Sequence, residues 1–248
     1  MIYINKNEFK KLKPVSLCNS GQYGKCFMYN TDVLKVFKNN VFLPKNLKKN
    51  IEEIKIMIED NIKYQMKDVA FPKEIVKVDG YKLAYIMDYI NGVRIADLIP
   101  SILNGEYDIT FDELIKVYHD AINKIIMFND IGLYLHDLSA FNSSITNSLN
   151  FGIYDTDFYN KNGNGYNIKT YNLSYLNYIF TFLFNDIYNN MKNEYKINMK
   201  DYSYLIQKLK SYDFNYSYSN PPLYVDDVLF EINKKTKEDK VSKLLMRW

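Results

Sequence analysis

The sequence predicts an α+β chain, and three observations carry that reading. The first ninety residues alternate short β-patterned runs with turn signals, one helical stretch interrupts them, and from Ile95 onward the apolar spacing is that of helices. Of 248 residues 47% are hydrophobic and 16% aromatic, against 9 Gly and 6 Pro, so the chain can bury a large core and is neither disordered nor fibrous. One compact domain or two small lobes is expected.

The β-patterned part opens with Val15 to Leu17, the turn Gly21 to Gly24, a strand from Lys25 to Tyr29, a turn at Asn30-Thr31-Asp32 and a strand from Val33 to Phe37. After Pro44, Leu47, Ile51, Ile54, Met57 and Ile58 repeat at the spacing of one buried helical face, predicting a helix over 47–62. Two further strands, Glu74 to Val78 and Lys82 to Met87, are joined by Asp79-Gly80, the strongest short hairpin signal. The expectation is five strands, antiparallel, and one helix over residues 1–88.

Residues 89–248 are expected to be mainly helical. Ile95 to Leu103 is a first helix. Phe111 to Asp130 is a second, with Leu114, Val117, Ile122, Ile125 and Ile126 on its apolar face and Thr110 as its N-cap. Short β-like runs at Asn142 to Ile145 and Phe151 to Tyr154 interrupt the helices, and the Asn/Gly-rich segment from Asn160 to Asn167 reads as an exposed loop. Leu173 to Met191 and Met199 to Tyr212 are helical again. Val225 to Trp248 reads as packing against its own lobe, with docking of a partner as the alternative.

Composition narrows the function classes. With 32 Lys and Arg against 29 Asp and Glu the formal charge is +3, which argues against a polycationic nucleic-acid arm. The two cysteines, Cys18 and Cys26, form neither a disulfide framework nor a zinc pattern, and a reducing cytoplasm fits them best. No signal peptide is expected in the charged N-terminus. The most apolar stretch, Leu173 to Phe184, is shorter than the roughly twenty residues of a membrane span and reads as a buried helix. Only Arg94 and Arg247 are arginines, so lysine must meet most anions.

Several residues stand out chemically. Gly21 and Gly24 place two glycines three apart between strands, where bare backbone N–H groups could approach a polyphosphate or simply make a hairpin turn. Lys35 lies in the middle of Val33-Leu34-Lys35-Val36-Phe37, a costly place for an ammonium unless a fixed anion meets it. Of the following helix's carboxylates, Glu53 sits beside the apolar stripe and is best placed to turn inward. Downstream, Asp137, an Asn five residues later at Asn142, and Asp155 at the end of an apolar strand comprise a general base and two oxygen ligands suited to Mg²⁺ held against phosphates.

In their order along nearly the whole chain, these residues resemble the protein-kinase-like superfamily. The glycine loop matches at Gly21 and Gly24, the strand lysine at Lys35, the helix glutamate at Glu53, the catalytic-loop pair at Asp137 and Asn142, and the metal-binding Asp at Asp155. The resemblance implies a bilobal fold with lobes at 1–88 and 89–248. It implies ATP and Mg²⁺ as cofactors and a protein or small-molecule hydroxyl as acceptor, without nucleic acid or membrane. Lys35, held by Glu53, would contact the α/β-phosphates; Asn142 and Asp155 would bind Mg²⁺; Asp137 would accept the acceptor's proton. Backbone groups near Asp88, Tyr89 and Ile90 would take the adenine edge, with Val33, Cys26 and Met87 lining its slot.

The chain departs from the family pattern at Asn19, where a glycine is usual, at Leu135 and His136, which replace a His-Arg pair, and at Ser139, where a lysine is usual. Asp155-Thr156-Asp157 replaces Asp-Phe-Gly, with Asp157 either assisting a metal or capping its loop. Switching by loop phosphorylation is not expected. The expected activity is that of a protein Ser/Thr kinase. The alternatives are a small-molecule kinase like the choline or aminoglycoside phosphotransferases, or a catalytically weak pseudokinase acting as a nucleotide-gated module.

Overall fold

The structure is a computed structural model; the residues it describes are 2–15, 23–38, 47–60, 66–80, 82–109 and 111–191. The chain is of mixed α/β composition and divides into two compact units. The first comprises Met1–Asn91 with Ile153–Asn160, the second Gly92–Gly152 with the chain from Lys161 onward. The first unit thus runs to Asn91 rather than to 88, and residues 153–160 return to it, which no composition shift announces.

The first unit is built on a five-stranded sheet of order β1-β4-β5-β3-β2, from β1 (Ile2–Ile4), β2 (Gly24–Tyr29), β3 (Asp32–Phe37), β4 (Glu74–Val78) and β5 (Lys82–Asp88). β2, β3, β5 and β4 pair antiparallel, but β1 runs parallel to β4, Ile2 opposite Val76, so the sheet is mixed rather than antiparallel as expected. The edge strand is Ile2–Ile4, too short to show a period. Val15 instead donates one hydrogen bond to the Cys26 carbonyl, and residues 16 and 17 lie outside the described ones. The β4–β5 connection, between the paired Val78 and Lys82, has Asp79 at φ 54° and Gly80 at φ 79°, both in the left-handed region that tight hairpin connections use.

Both faces of this sheet are apolar, which is why β3 is buried along most of its length. One face carries Leu34, Val36, Val76, Val78, Ala84 and Ile86 with Ile4, covered by Phe9 and Leu12. Phe9 ends the short helix α1 (Lys6–Phe9), whose capping box has Asn5 Oδ1 accepting from the Glu8 N–H and Glu8 accepting from the Asn5 N–H. The other face carries Cys26, Val33, Phe37, Tyr85 and Met87 against Leu47 and Ile51 of helix α2 (Leu47–Asp60). Helix α2 buries the expected Leu47, Ile51, Ile54 and Met57; Ile62 lies outside the described residues.

The second unit holds the strands β6 (Gly92–Arg94), β7 (Ser143–Thr146) and β8 (Phe151–Ile153) in that order, with the last residue of β8 belonging to the first unit. Its helices are α3 (Leu98–Leu103), α4 (Phe111–Asp130) and α5 (Ile168–Met191), the last two packed together. The α4 face buries Leu114, Val117 and Ile125, whereas Ile126 is exposed and Lys124 is buried in its ion pair with Asp120. Asp120 also accepts from the Phe151 N–H, which ties β8 to α4 and explains the inward lysine. Thr110, the helix expected over 199–212 and the tail 225–248 lie outside the described residues. Among the described residues no helix is long and apolar enough to cross a membrane.

Candidate functional site

Lys35 faces the α2 side of the sheet, in register with Cys26 on β2 and Tyr85 on β5. It is 5% exposed, so its ammonium must be compensated inside the protein. Two carboxylates do this: Asp155, through an ion pair and hydrogen bond, and Asp157, whose Oδ1 lies 2.7 Å from Nζ. The same Asp157 oxygen accepts from Tyr85 Oη at 3.1 Å. The rings of Phe37 and Tyr85 stand 5.6 and 5.9 Å from Nζ and add cation–π attraction.

The two aspartates arrive from the corner that follows β8. Ile153 bridges to Val69 in parallel and donates its N–H to the Asp68 carbonyl at 2.9 Å, while the Ala70 N–H returns to the Ile153 carbonyl at 2.8 Å. Asp155 then takes a left-handed φ of 64°, a conformation that short polar side chains tolerate best among non-glycine residues. That reversal starts the 3-10 turn Thr156–Phe158, which Thr156 pins by donating to the Ala70 carbonyl at 3.0 Å. One corner thus delivers Asp155 and Asp157 to the same lysine.

One ammonium cannot fully offset two carboxylates, one fully and one partly buried. Burial pushes Asp155 up, but the Lys35 charge and hydrogen bonding with Asp157 and Lys35 outweigh it and hold the carboxyl below its ordinary value. Burial dominates at Asp157, joined by repulsion from Asp155, and its carboxyl is pushed up to about 7 despite Lys35. For Lys35 itself, burial works against the charge, and the two aspartates overcome it to hold the ammonium above its ordinary range. Tyr85 is pushed up by burial and by the neighbouring aspartates, so its hydroxyl stays a donor.

Glu53 does not meet Lys35. It ion-pairs with Lys49 one turn earlier on α2, 3.5 Å away. The physical reason is helical geometry: Leu47, Ile51 and Ile54 point inward, and the residue before Ile54 falls on the flank of that stripe, where a solvated lysine is the nearer partner.

A small apolar recess in the first unit is lined by Val15, Val33, Met87, Asp88, Tyr89, Ile90 and Tyr154. Val33, Met87, Asp88, Tyr89 and Ile90 are among the residues the sequence assigned to a nucleotide slot; Val15 and Tyr154 are not. Cys26 is not on the lining and packs instead, 3% exposed, within the apolar core. Gly24 is where the sequence placed one glycine of the loop. A Cβ there would sit 3.0 Å from the Val36 carbonyl and 3.3 Å from the Lys35 stem, so the glycine leaves room for the lysine itself. Gly21 lies outside the described residues.

Asp137 and Asn142 belong to the second unit, in a loop bonded to itself. Asp137 is exposed and has a left-handed φ of 68°. Asn142 Nδ2 donates to the Asp137 carbonyl at 2.9 Å and lies 3.3 Å from Asp137 Oδ2, and Ser143 Oγ donates to the Ser139 carbonyl at 2.7 Å. The amide nitrogen of Asn142 takes these bonds, so its Oδ1 is the end suited to a cation. Leu135 is fully buried and its N–H is accepted by Asn172 Oδ1 on α5. His136 lies 2.7 Å from Tyr171 Oη and 3.1 Å from the Asn162 carbonyl, a histidine occupied on both ring nitrogens.

Among the described residues no group of three or more His, Cys, Asp or Glu forms a metal cluster. Asp155 belongs to the first unit and Asn142 to the second, and each side chain offers a hard oxygen of the kind Mg²⁺ takes. Sequence reasoning missed Tyr85 and left Asp157 open between two roles; the alternation of Lys82 to Asp88 shows that Tyr85 points inward, but nothing local shows what it meets. The sequence matches no protein-family model, and it is similar to no curated protein.

Proposed function

We propose that the chain is a Mg·ATP-dependent phosphotransferase of compact kinase-like fold, with a protein serine or threonine hydroxyl as acceptor. The observation that carries this reading is Lys35, a buried strand lysine paired with Asp155, in the same unit as an apolar recess lined by Val33, Met87 and the end of β5. In this reading the lysine binds the α/β-phosphates, the recess takes the base, and Asp155 and Asn142 supply oxygen ligands to Mg²⁺, which would neutralise phosphate charge. Asp137 takes the proton of the acceptor hydroxyl as its oxygen bonds to the γ-phosphorus and the bond to the β-phosphate oxygen breaks, leaving ADP.

A small-molecule acceptor is the second reading. It is favoured by the short connection after the 3-10 turn: only residues 159–167 separate Phe158 from α5, which leaves little chain for a peptide platform.

Transfer of ³²P from Mg·ATP, followed on the protein itself, on a generic protein acceptor and as free phosphate, tests the proposal in the wild type and in Asp137→Ala. Label on protein that falls by about 10²-fold or more in the variant supports a protein kinase. Label appearing only on an added small alcohol moves the acceptor to the second reading. Absence of both transfer and any ATP-dependent rise in Tm would sink the proposal.

A further inference from the structure

We propose that Asp157, steadied by Tyr85, is the positioning residue for Lys35 in place of Glu53, so that the lysine's anchoring carboxylate comes from the corner after β8 rather than from helix α2. The proposal deepens the phosphotransferase reading, on which its consequence for nucleotide binding rests.

The two aspartates around Lys35 are not equivalent. The Asp155 side chain is 30% exposed and sits at the open start of the corner, where a cation and phosphates can reach it; that of Asp157 is 0% exposed. Asp157 Oδ1 gathers both the Lys35 and Tyr85 bonds, while its Oδ2 has no hydrogen-bond partner among the described residues. Turning away from the lysine would therefore cost the carboxylate its buried contacts without replacing them. Tyr85 is itself fully buried and stands directly across from Lys35 in the β3–β5 register, so the lysine and the tyrosine that steadies its anchor are fixed by the same pair of strands. The turn bearing Asp157 is pinned through Thr156 to Ala70. Glu53 has none of these restraints: its side chain is 42% exposed and its partner is Lys49.

The test reads the lysine directly. The folded protein is acetylated with an N-hydroxysuccinimide ester, and the rate at Lys35 is followed by mass spectrometry in wild type, Asp157→Asn, Tyr85→Phe, Asp155→Asn and Glu53→Gln. Removing the anchor frees the amine to leave its buried seat and meet the reagent, so Asp157→Asn is expected to react roughly fivefold faster and Tyr85→Phe roughly twofold faster. Asp155→Asn is expected to rise less than Asp157→Asn, because water can replace the exposed carboxylate. Glu53→Gln is expected to match the wild type.

A rate in Glu53→Gln equal to or above that of Asp157→Asn overturns the proposal, as does an Asp157→Asn rate equal to the wild type. If Asp157→Asn does not fold, Tyr85→Phe against Glu53→Gln decides the question in the same way. Affinity for ATP, measured with magnesium removed, is the second readout: about a tenfold loss is expected in Asp157→Asn and none in Glu53→Gln. Failure of the wild type to bind ATP would overturn the phosphotransferase reading alone, since the acetylation rates would still identify the anchor.

Discussion

Asn172 on α5 reaches Leu135, two residues before Asp137, and accepts its backbone N–H at 2.9 Å. The same side chain donates to the Leu133 carbonyl at 2.9 Å and to Asn129 Oδ1 at 2.8 Å, and it is fully buried. One side-chain amide thus ties two backbone groups of the chain leading into the Asp137 loop. Asn172→Ala leaves the Leu135 N–H and Leu133 carbonyl without these partners, at a cost of about 1–3 kcal/mol for each buried group. Urea unfolding is expected to show roughly 3 kcal/mol of lost stability. Loss below about 0.5 kcal/mol would mean that water or relaxed backbone replaces the amide.

Asp155→Asn separates metal binding from nucleotide binding. The substitution keeps the side chain's shape but removes the charge a divalent cation needs. ATP affinity measured with magnesium is expected to fall by about tenfold, while the affinity without magnesium changes far less. An equal loss under both conditions would assign Asp155 to holding Lys35 rather than to the metal.

The Asp157 carboxyl gives a pH dependence of defined sign. Its folded value is pushed up to about 7 from an ordinary 3.8, first by burial and then by Asp155. Between those values the folded protein keeps a proton that the unfolded chain has released, so its contribution to stability is fully present below 3.8 and is lost as pH rises through about 7. Asp155, held low, works the opposite way: its contribution is present above its ordinary value and is lost as the solution becomes more acid. In Asp157→Asn the first loss is absent. Relative to the wild type, the variant is expected to gain stability steadily from pH 4 to pH 7 and to hold that gain above, as read from denaturation midpoints without added metal. A pH-independent difference would show that Asp157 stays ionised throughout.

Gly92 is set by a close approach. A Cβ there would fall 2.2 Å from the Ile145 carbonyl and 2.7 Å from the Thr146 Cα, both backbone atoms of β7. Strand β6 pairs with β7 at this residue, Gly92 opposite Thr146, so Gly92→Ala must part the strands. A loss of about 2 kcal/mol is expected from overpacking against atoms that cannot rotate away. Hydrogen exchange should localise it to the amides of β6 and β7.

Much of the local structure was legible because its causes are local. The stripe of Leu47, Ile51, Ile54 and Met57 commits α2 to one buried face, and Asp79-Gly80 commits β4 and β5 to a tight hairpin, each through residues a few positions apart. Lys35 was conspicuous for the same reason: an ammonium flanked by Leu34 and Val36 signals a compensating anion. The parallel edge strand Ile2–Ile4 was not legible, because three residues carry no period and their partner lies more than seventy positions on.

The amino-acid sequence alone marked Lys35 as an ammonium in the middle of an apolar strand, a costly place unless a fixed anion meets it. Which carboxylates answer it was decided by tertiary structure. Position on α2 placed Glu53 beside Lys49, while the corner after β8 brought Asp155 and Asp157 to a lysine more than a hundred residues earlier, and the β3–β5 register set Tyr85 opposite it. Periodicity reports which way a side chain points along its own element. The partner it meets depends on how the chain folds back, and that is settled only when the strands pair and the core closes.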